Sequence, residues 1–400
     1  MCNKSIGHKQ LISQCLSVLP TEVFSSPLLN YGYDKLSVDA LMKIFVAAQL
    51  DNWESYEEME ERLRANPEFC ESINLPSISG SQLSRRINDL PTEYAQDLFQ
   101  RVVQTIQELT KDYKGISPEI GRLKILDSTH IKLPPELCDW AFVTKGWNVV
   151  KMHTRIVVVS EDIHYPDKIV PSTGNVGDVE TPHLLVEEDG ATYLMDRGYP
   201  SIKNLMTWQE QEISFVVRIS KNIKVVPIEA YESNDPAILR DAKVKYSYAD
   251  EPIRLVEFLD EENKLYRLMT TRWDLTAEQI MELYRCRWMI ETFFKWVKQH
   301  LKLVKVWSTK PQGMWNQMFI ALAAYGLALI LQLQTKSPKG LWPFLRLMRI
   351  YMYKPFDEFM NELHRKKSKT SRGRQKVPIP SKKETEFPGS VAIIKPQKKK

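Results

Sequence analysis

Tyr284, Arg287, Glu291 and Lys298 follow one another at intervals of three, four and seven residues. On a helix turning about 100° per residue they fall within roughly a 60° arc. That face would hold a carboxylate beside a phenol, a guanidinium and an ammonium, a set suited to a metal ion and a phosphate. By the same count Met289, Phe293, Trp296 and Val297 form an apolar stripe that can seat the helix on a core. Glu291 and Lys295 at i,i+4 would alone be an ordinary solvated ion pair. The phenol, and a basic row that continues through Lys295 to Lys302, set this face apart.

Two further acids invite the same chemistry. Arg122–Leu126 is a short apolar run closed by Asp127, and Ala191–Met195 is another closed by Asp196. Carboxylates at strand ends lie where open α/β sheets bind their ligands. Either aspartate alone reads as a hydrogen-bond acceptor or a cap. With Glu291 they make a set of hard oxygen ligands suited to magnesium, and a pair of such ions about 4 Å apart can activate the attacking oxygen and stabilise the leaving oxygen of a phosphodiester. Asp178, in Gly-Asn-Val-Gly-Asp, is the rival second acid, but its glycines indicate a loop, so Asp196 is preferred. His130 and His153 lack a His-x3-His spacing and read as hydrogen-bonding support, not as ligands.

These residues need a sheet and a packed helix to bring them together. Residues 1–115 read as helical: Leu36–Leu50, Ser55–Arg64 and Thr92–Leu109 carry helical apolar spacing. Ser79-Gly80-Ser81 opens a further helix with an Arg85-Arg86 pair, a capped structural helix before it is a DNA-reading one. Beyond Gly115 the pattern turns to strands, including Trp147–Val150, Thr154–Val159, Phe215–Ile219 and Leu265–Thr270. Residues 221–262, with Pro227, Pro236 and Pro252, read as a β-rich insertion. Thr276 and Gln279 then form a capping box at the start of the signature helix.

Composition limits the alternatives. At 400 residues the chain is long enough for two or three domains. Five cysteines without a CxxC pair argue against a disulfide framework or a zinc site. The start of the chain has no apolar signal region. The 14-residue apolar run Met318–Leu331 is too short to span a bilayer comfortably and reads as a buried helix. The net charge of +5 is uneven: residues 364–400 carry thirteen Lys and Arg against two Glu, +11, leaving −6 on residues 1–363. Such a tail reads as a disordered, counterion-releasing grip on nucleic acid or as a solubilising end.

The Tyr-x2-Arg-x3-Glu-x6-Lys spacing, with Leu-Asp-Ser-Thr and Leu-Met-Asp-Arg-Gly-Tyr before it, resembles the DDE transposases of bacterial insertion sequences, in particular the IS-four family. The likeness covers about 121–333. It implies an α/β fold: an RNase H-like core, a mixed sheet flanked by helices, with a β-rich insertion before the glutamate and an N-terminal all-helical domain. It further implies that Asp127, Asp196 and Glu291 are the catalytic, metal-binding triad for two Mg²⁺ ions, with Mn²⁺ as a substitute. Tyr284, Arg287 and Lys298 would hold phosphates of the cleaved end, with Lys295 beside them. Some members hold a flipped base with tryptophan, for which Trp288 is the candidate here and Trp273 reads as core.

The resulting expectation is a cytoplasmic, nucleoid-associated bacterial transposase, independent of membranes. It would act at least as a homodimer on double-stranded DNA, binding terminal inverted repeats and joining them to target DNA. Its domains would be an end-binding, oligomerising region 1–115, a catalytic domain 116–335, a helical segment 336–363 and the basic tail 364–400. The alternatives are a metal-dependent nuclease without strand transfer and a non-catalytic DNA-binding protein.

Overall fold

The computed structural model describes residues 9–32, 35–246, 251–303 and 305–366. Among these residues six α-helices come first: α1 (Leu11–Leu16), α2 (Val38–Asp51), α3 (Tyr56–Ala65), α4 (Pro67–Ser72), α5 (Gly80–Asp89) and α6 (Thr92–Thr110). The caps agree with the sequence. Ser37, Ser55 and Ser79 each accept a backbone N–H at a helix start, and Ser79 and Gln82 close a capping box.

The strands are β1 (Leu123–Leu133), β2 (Phe142–Thr144), β3 (Trp147–Val158), β4 (His164–Thr173), β5 (Thr192–Met195), β6 (Ser214–Arg218), β7 (Val225–Tyr231), β8 (Ile238–Tyr246), β9 (Ile253–Leu259) and β10 (Leu265–Thr270). Short helices α7 (Pro182–Leu185) and α8 (Ile202–Glu210) flank β5. All ten strands join one sheet in the order β2-β3-β1-β5-β6-β10-β9-β8-β7, with β4 also paired to β3. The β1–β5 and β5–β6 pairs are parallel and the others antiparallel. The chain leaves β6, runs out to β7 at the far edge and returns strand by strand to β10 against β6. The β-rich insertion therefore lengthens the central sheet and is not a separate β body.

Both faces of the parallel centre are buried, as parallel strands require. One face, with Leu126, Tyr193 and Met195, packs under α8 through Leu205 and Trp208. The other, with Ile125, Leu194 and Val216, joins the main core. Among the described residues five C-terminal helices follow: α9 (Ala277–Arg285), α10 (Trp288–His300), α11 (Pro311–Gln334), α12 (Leu341–Tyr351) and α13 (Phe356–Leu363).

α11 is the expected buried helix, although longer than its apolar run. Its 24 residues would reach across a membrane, yet 94% of its most apolar window is buried inside the protein. α6 crosses it at Gly326, where an added Cβ would run into the Val102 Cγ1. Asn316 of α11 donates to the carbonyls of Ile87 and Leu90, both at 2.8 Å, closing the end of α5. Arg349 of α12 donates to the carbonyls of Leu50 and His300, at 2.6 Å each, and so ties α2 to the end of α10. The described residues up to Leu363 thus form one compact unit. The boundary expected near residue 115 is a change of secondary structure with shared packing across it. The expected tail 364–400 lies almost wholly outside the described residues.

Candidate active site

Asp127 is not at a strand end. β1 runs six residues past it, paired with β3 along its whole length, Asp127 opposite Thr154. The other neighbour explains the opening. β5 pairs with β1 from Leu123↔Thr192 to Leu126↔Met195 and stops, so that beyond Leu126 one side of β1 has no strand beside it among the described residues. Asp196 is the residue after Met195. The parallel register therefore sets Asp127 and Asp196 side by side where the sheet opens.

The signature segment is two helices. α9 ends at Arg285 and α10 begins at Trp288, with Arg287 as its N-cap residue. The junction keeps αR backbone angles but tightens its bonds to i−3: Arg287 N–H to Tyr284 O at 3.1 Å, Met289 N–H to Cys286 O at 2.9 Å. The face counted on one continuous helix is reorganised, and three of its members still meet. Arg287 donates to Glu291 Oε1 at 2.6 Å and lies 3.8 Å from Asp127 Oδ2. Its guanidinium is 6.0 Å from the centre of the Tyr284 ring. Tyr284 is buried, and its hydroxyl donates to Asp196 Oδ1 at 3.1 Å. Arg218, at the end of β6, stands 3.6 Å from the same oxygen.

The electrostatics follow from this crowding. Burial pushes the Asp127 carboxyl up to about 6; the Ser128 N–H and Arg287 resist, while Asp196 and Asp178 add to the rise. Burial and the neighbouring Asp196 hold Tyr284 firmly in its phenol form. Lys298, two turns beyond Glu291, is half-buried and lowered by burial. It is among the charges acting on His130 of β1. Lys295 is exposed and Trp288 is 63% exposed. Trp273, expected in the core, is 45% exposed and meets Tyr231 edge-on with ring centres 6.4 Å apart.

Among the described residues no three carboxylate, imidazole or thiol groups form a ready-made metal cage. Instead a cationic side chain, Arg287, stands between Asp127 and Glu291. The donor chemistry still suits a hard divalent ion: all three acids offer carboxylate oxygens, and at Asp127, raised chiefly by burial, such an ion would favour the charged form.

The glycines before Asp178 predict a loop. In the structure Asp178 lies on a short 3-10 turn (Asp178–Glu180) after β4, 2.8 Å from Lys151 Nζ and 3.3 Å from His153 Nδ1. The available signal was a lysine and a histidine two apart on a strand, both of which prove buried. His153 is a hydrogen-bonding support, as expected, with Nε2 3.0 Å from Ser172 Oγ.

The transposase DDE domain family profile matches residues 119–327, more than half of the chain and all of the sheet. Among curated proteins, the chain is similar to a probable transposase for insertion sequence element IS5377 of Geobacillus stearothermophilus, 25% identical over 74% of this chain and 77% of that protein. It is similar also to the putative transposase y4zB of Sinorhizobium fredii, 30% identical over 56% of this chain and 64% of that protein. A third relative, a putative transposase for insertion sequence element IS4SA of Synechocystis, is 24% identical over 64% and 73%. With a mixed sheet flanked by helices, the RNase H-like architecture, beneath that match, the chain belongs to the DDE transposases of insertion sequences, metal-dependent enzymes that act on DNA.

Proposed function

We propose that this transposase binds the terminal inverted repeats of its element and carries out both Mg²⁺-dependent cleavage of the ends and their transfer to target DNA. What supports the reading is that Asp127 and Asp196 follow paired residues of β1 and β5 where that pairing stops, and that Arg287 contacts both Asp127 and Glu291. Asp127, Asp196 and Glu291 would hold two Mg²⁺ ions, with Mn²⁺ as a substitute. Bound there, the ions would activate the attacking oxygen and stabilise the leaving oxygen of the phosphodiester.

The chain's own residues supply orientation and charge. Tyr284 fixes one Asp196 oxygen by hydrogen bond, and Arg218 shares it. Arg287 balances two acids and keeps further N–H donors for a phosphate. Lys298 and exposed Lys295 extend positive charge along α10 toward the DNA backbone, and exposed Trp288 offers a surface for a displaced base. The N-terminal helices, with Arg85 exposed on α5, serve end binding and assembly. Two ends cut in concert require at least a homodimer. The enzyme works on DNA in the bacterial cytoplasm, at the nucleoid.

The test is purified protein incubated with Mg²⁺ and labelled inverted-repeat duplex from the flanks of the gene. Joined products support the proposal; nicks alone would reduce the enzyme to a nuclease. Glu291→Gln is expected to lower cleavage roughly a thousandfold while the shifted protein–DNA band persists. Undiminished cleavage by that variant removes Glu291 from the site.

A further inference from the structure

Asp178 belongs to no part of the mechanism above, and its surroundings are unusual. Lys151 and His153 lie two apart on β3, on one face of the strand, 5% and 0% exposed. Both reach Asp178. Lys151 Nζ is 2.8 Å from Asp178 Oδ1 and also donates to the Val176 carbonyl at 3.1 Å, gripping the turn at two points. The His153 ring is fixed from both sides, by Ser172 on Nε2 and on Nδ1 by Thr181 at 3.4 Å and Asp178 at 3.3 Å. Burial opposes charge on Asp178, yet the neighbouring His153, Lys151 and Ser128 outweigh it and hold its carboxyl well below the usual range.

The location gives this cluster a task. His153 is the cross-strand partner of Ser128, next to Asp127. Neighbouring residues of a strand face opposite ways, so the cluster lies behind the face that carries Asp127. In front of Asp178 runs the tight turn after β5, where Tyr199 N–H bonds the Asp196 carbonyl at 3.1 Å. At Gly198 in that turn, a Cβ would stand 3.2 Å from Asp178 Oδ2. The anion thus fills the gap that the early end of β5 leaves beside β1, and the turn bearing Asp196 rests on it. Stability alone does not account for such a cluster, because well-packed apolar residues often replace buried ion pairs without loss.

We propose that Asp178, braced by Lys151 and His153, is a positioning residue that sets the spacing between Asp127 and Asp196. The inference rests on these two aspartates forming the metal site. It is tested on the complex of full-length protein with inverted-repeat duplex, titrated with Mn²⁺ and followed by the paramagnetic resonance of the free ion, with thermal melts and cleavage rates beside it. Asp178→Asn is expected to raise the Mn²⁺ half-saturation about tenfold and to slow cleavage about a hundredfold, with DNA affinity unchanged. Because that single change would leave Lys151 buried without its partner, the decisive protein is the double variant Lys151→Met, Asp178→Asn, in which the charges are removed together. The double variant should recover melting temperature but keep the weakened Mn²⁺ half-saturation. If Mn²⁺ binding recovers along with the melting temperature, Asp178 is only a fold-stabilising partner and the inference is overturned. Asp196→Asn separates the two levels: its loss of Mn²⁺ binding upholds the metal site whatever Asp178 does, whereas wild-type Mn²⁺ binding by Asp196→Asn would overturn the site itself.

Discussion

Arg287 holds Glu291 at 2.6 Å from a position at the start of its own helix, and the same guanidinium reaches toward Asp127. A side chain only 11% exposed thereby acts as a fixed counter-ion to two carboxylates on different elements. Removing it leaves those acids facing each other without compensation. Arg287→Ala is expected to bind Mn²⁺ several-fold more tightly than wild type when DNA is absent, and to cleave DNA at least tenfold more slowly. Calorimetric Mn²⁺ titration of the free protein checks the first expectation; identical isotherms for the two proteins would contradict the counter-ion role.

Tyr284 is buried with its hydroxyl committed to Asp196. Tyr284→Phe deletes one hydrogen bond to a carboxylate, about 1–2 kcal/mol, and should slow cleavage roughly tenfold through kcat. The KM for DNA distinguishes the possibilities: it stays constant if the phenol orients Asp196 and rises if the phenol contacts the DNA backbone.

A pH-dependent loss of stability is expected from His164 at the start of β4. Its Nδ1 is buried without a hydrogen-bond partner among the described residues, and burial lowers its pKa to about 4, with Asp162 opposing. The unfolded chain takes up this proton near pH 6.5, the folded protein only near 4, so between those values the unfolded state binds more protons. Stability is therefore full above about pH 6.5, declines as the pH falls toward 4 and then levels off. By about pH 5 the difference is about 2 kcal/mol. Melting curves at about pH 7.5 and about pH 5 should show His164→Gln losing a few degrees less than wild type over that interval. Equal losses would refute the assignment.

At Gly326 the two longest N- and C-terminal helices, α6 and α11, approach too closely for a side chain. Gly326→Ala should cost roughly 2–3 kcal/mol through overpacking against Val102. Val102→Ala in the same chain should return part of that loss. A double variant less stable than the sum of the single changes would rule out this steric account.

Sequence and structure part along physical lines. Local signals carried through: the serine and threonine caps, the apolar period of α2 and α6, and the buried α11 all depend on nearest neighbours. The placement of Asp127 and Asp196 after apolar runs is legible, and both runs are strands, β1 and β5. That Asp127 lies mid-strand is not legible, because the burial of β1 changes at that point from both faces to alternate residues, and this reflects the length of β5 more than any property of β1. The break at Cys286 and Arg287 has no glycine or proline to announce it; it accompanies tertiary contacts made by Arg287 itself. The glycines before Asp178 predict a loop, and the residue does lie on a turn outside the strands; its approach to Gly198 of the other turn is a tertiary contact with no local signal. Trp273 looked like core by type but lies beside an exposed tyrosine at the mouth of the insertion.

The four-residue β5 beside the eleven-residue β1 has an implication for how such enzymes tolerate change. Had β5 continued in register, backbone hydrogen bonds would have closed over Asp127 and Asp196 and the notch between them would be an unbroken sheet. The notch proposed as the reactive centre is thus created by a mismatch in length, and the loop that follows the shorter strand is free of ladder constraints. Insertions beyond that loop are expected to leave intact the register that makes the notch. Extending β5 by even a residue or two of pairing, by contrast, would seal the notch in a protein that otherwise folds normally.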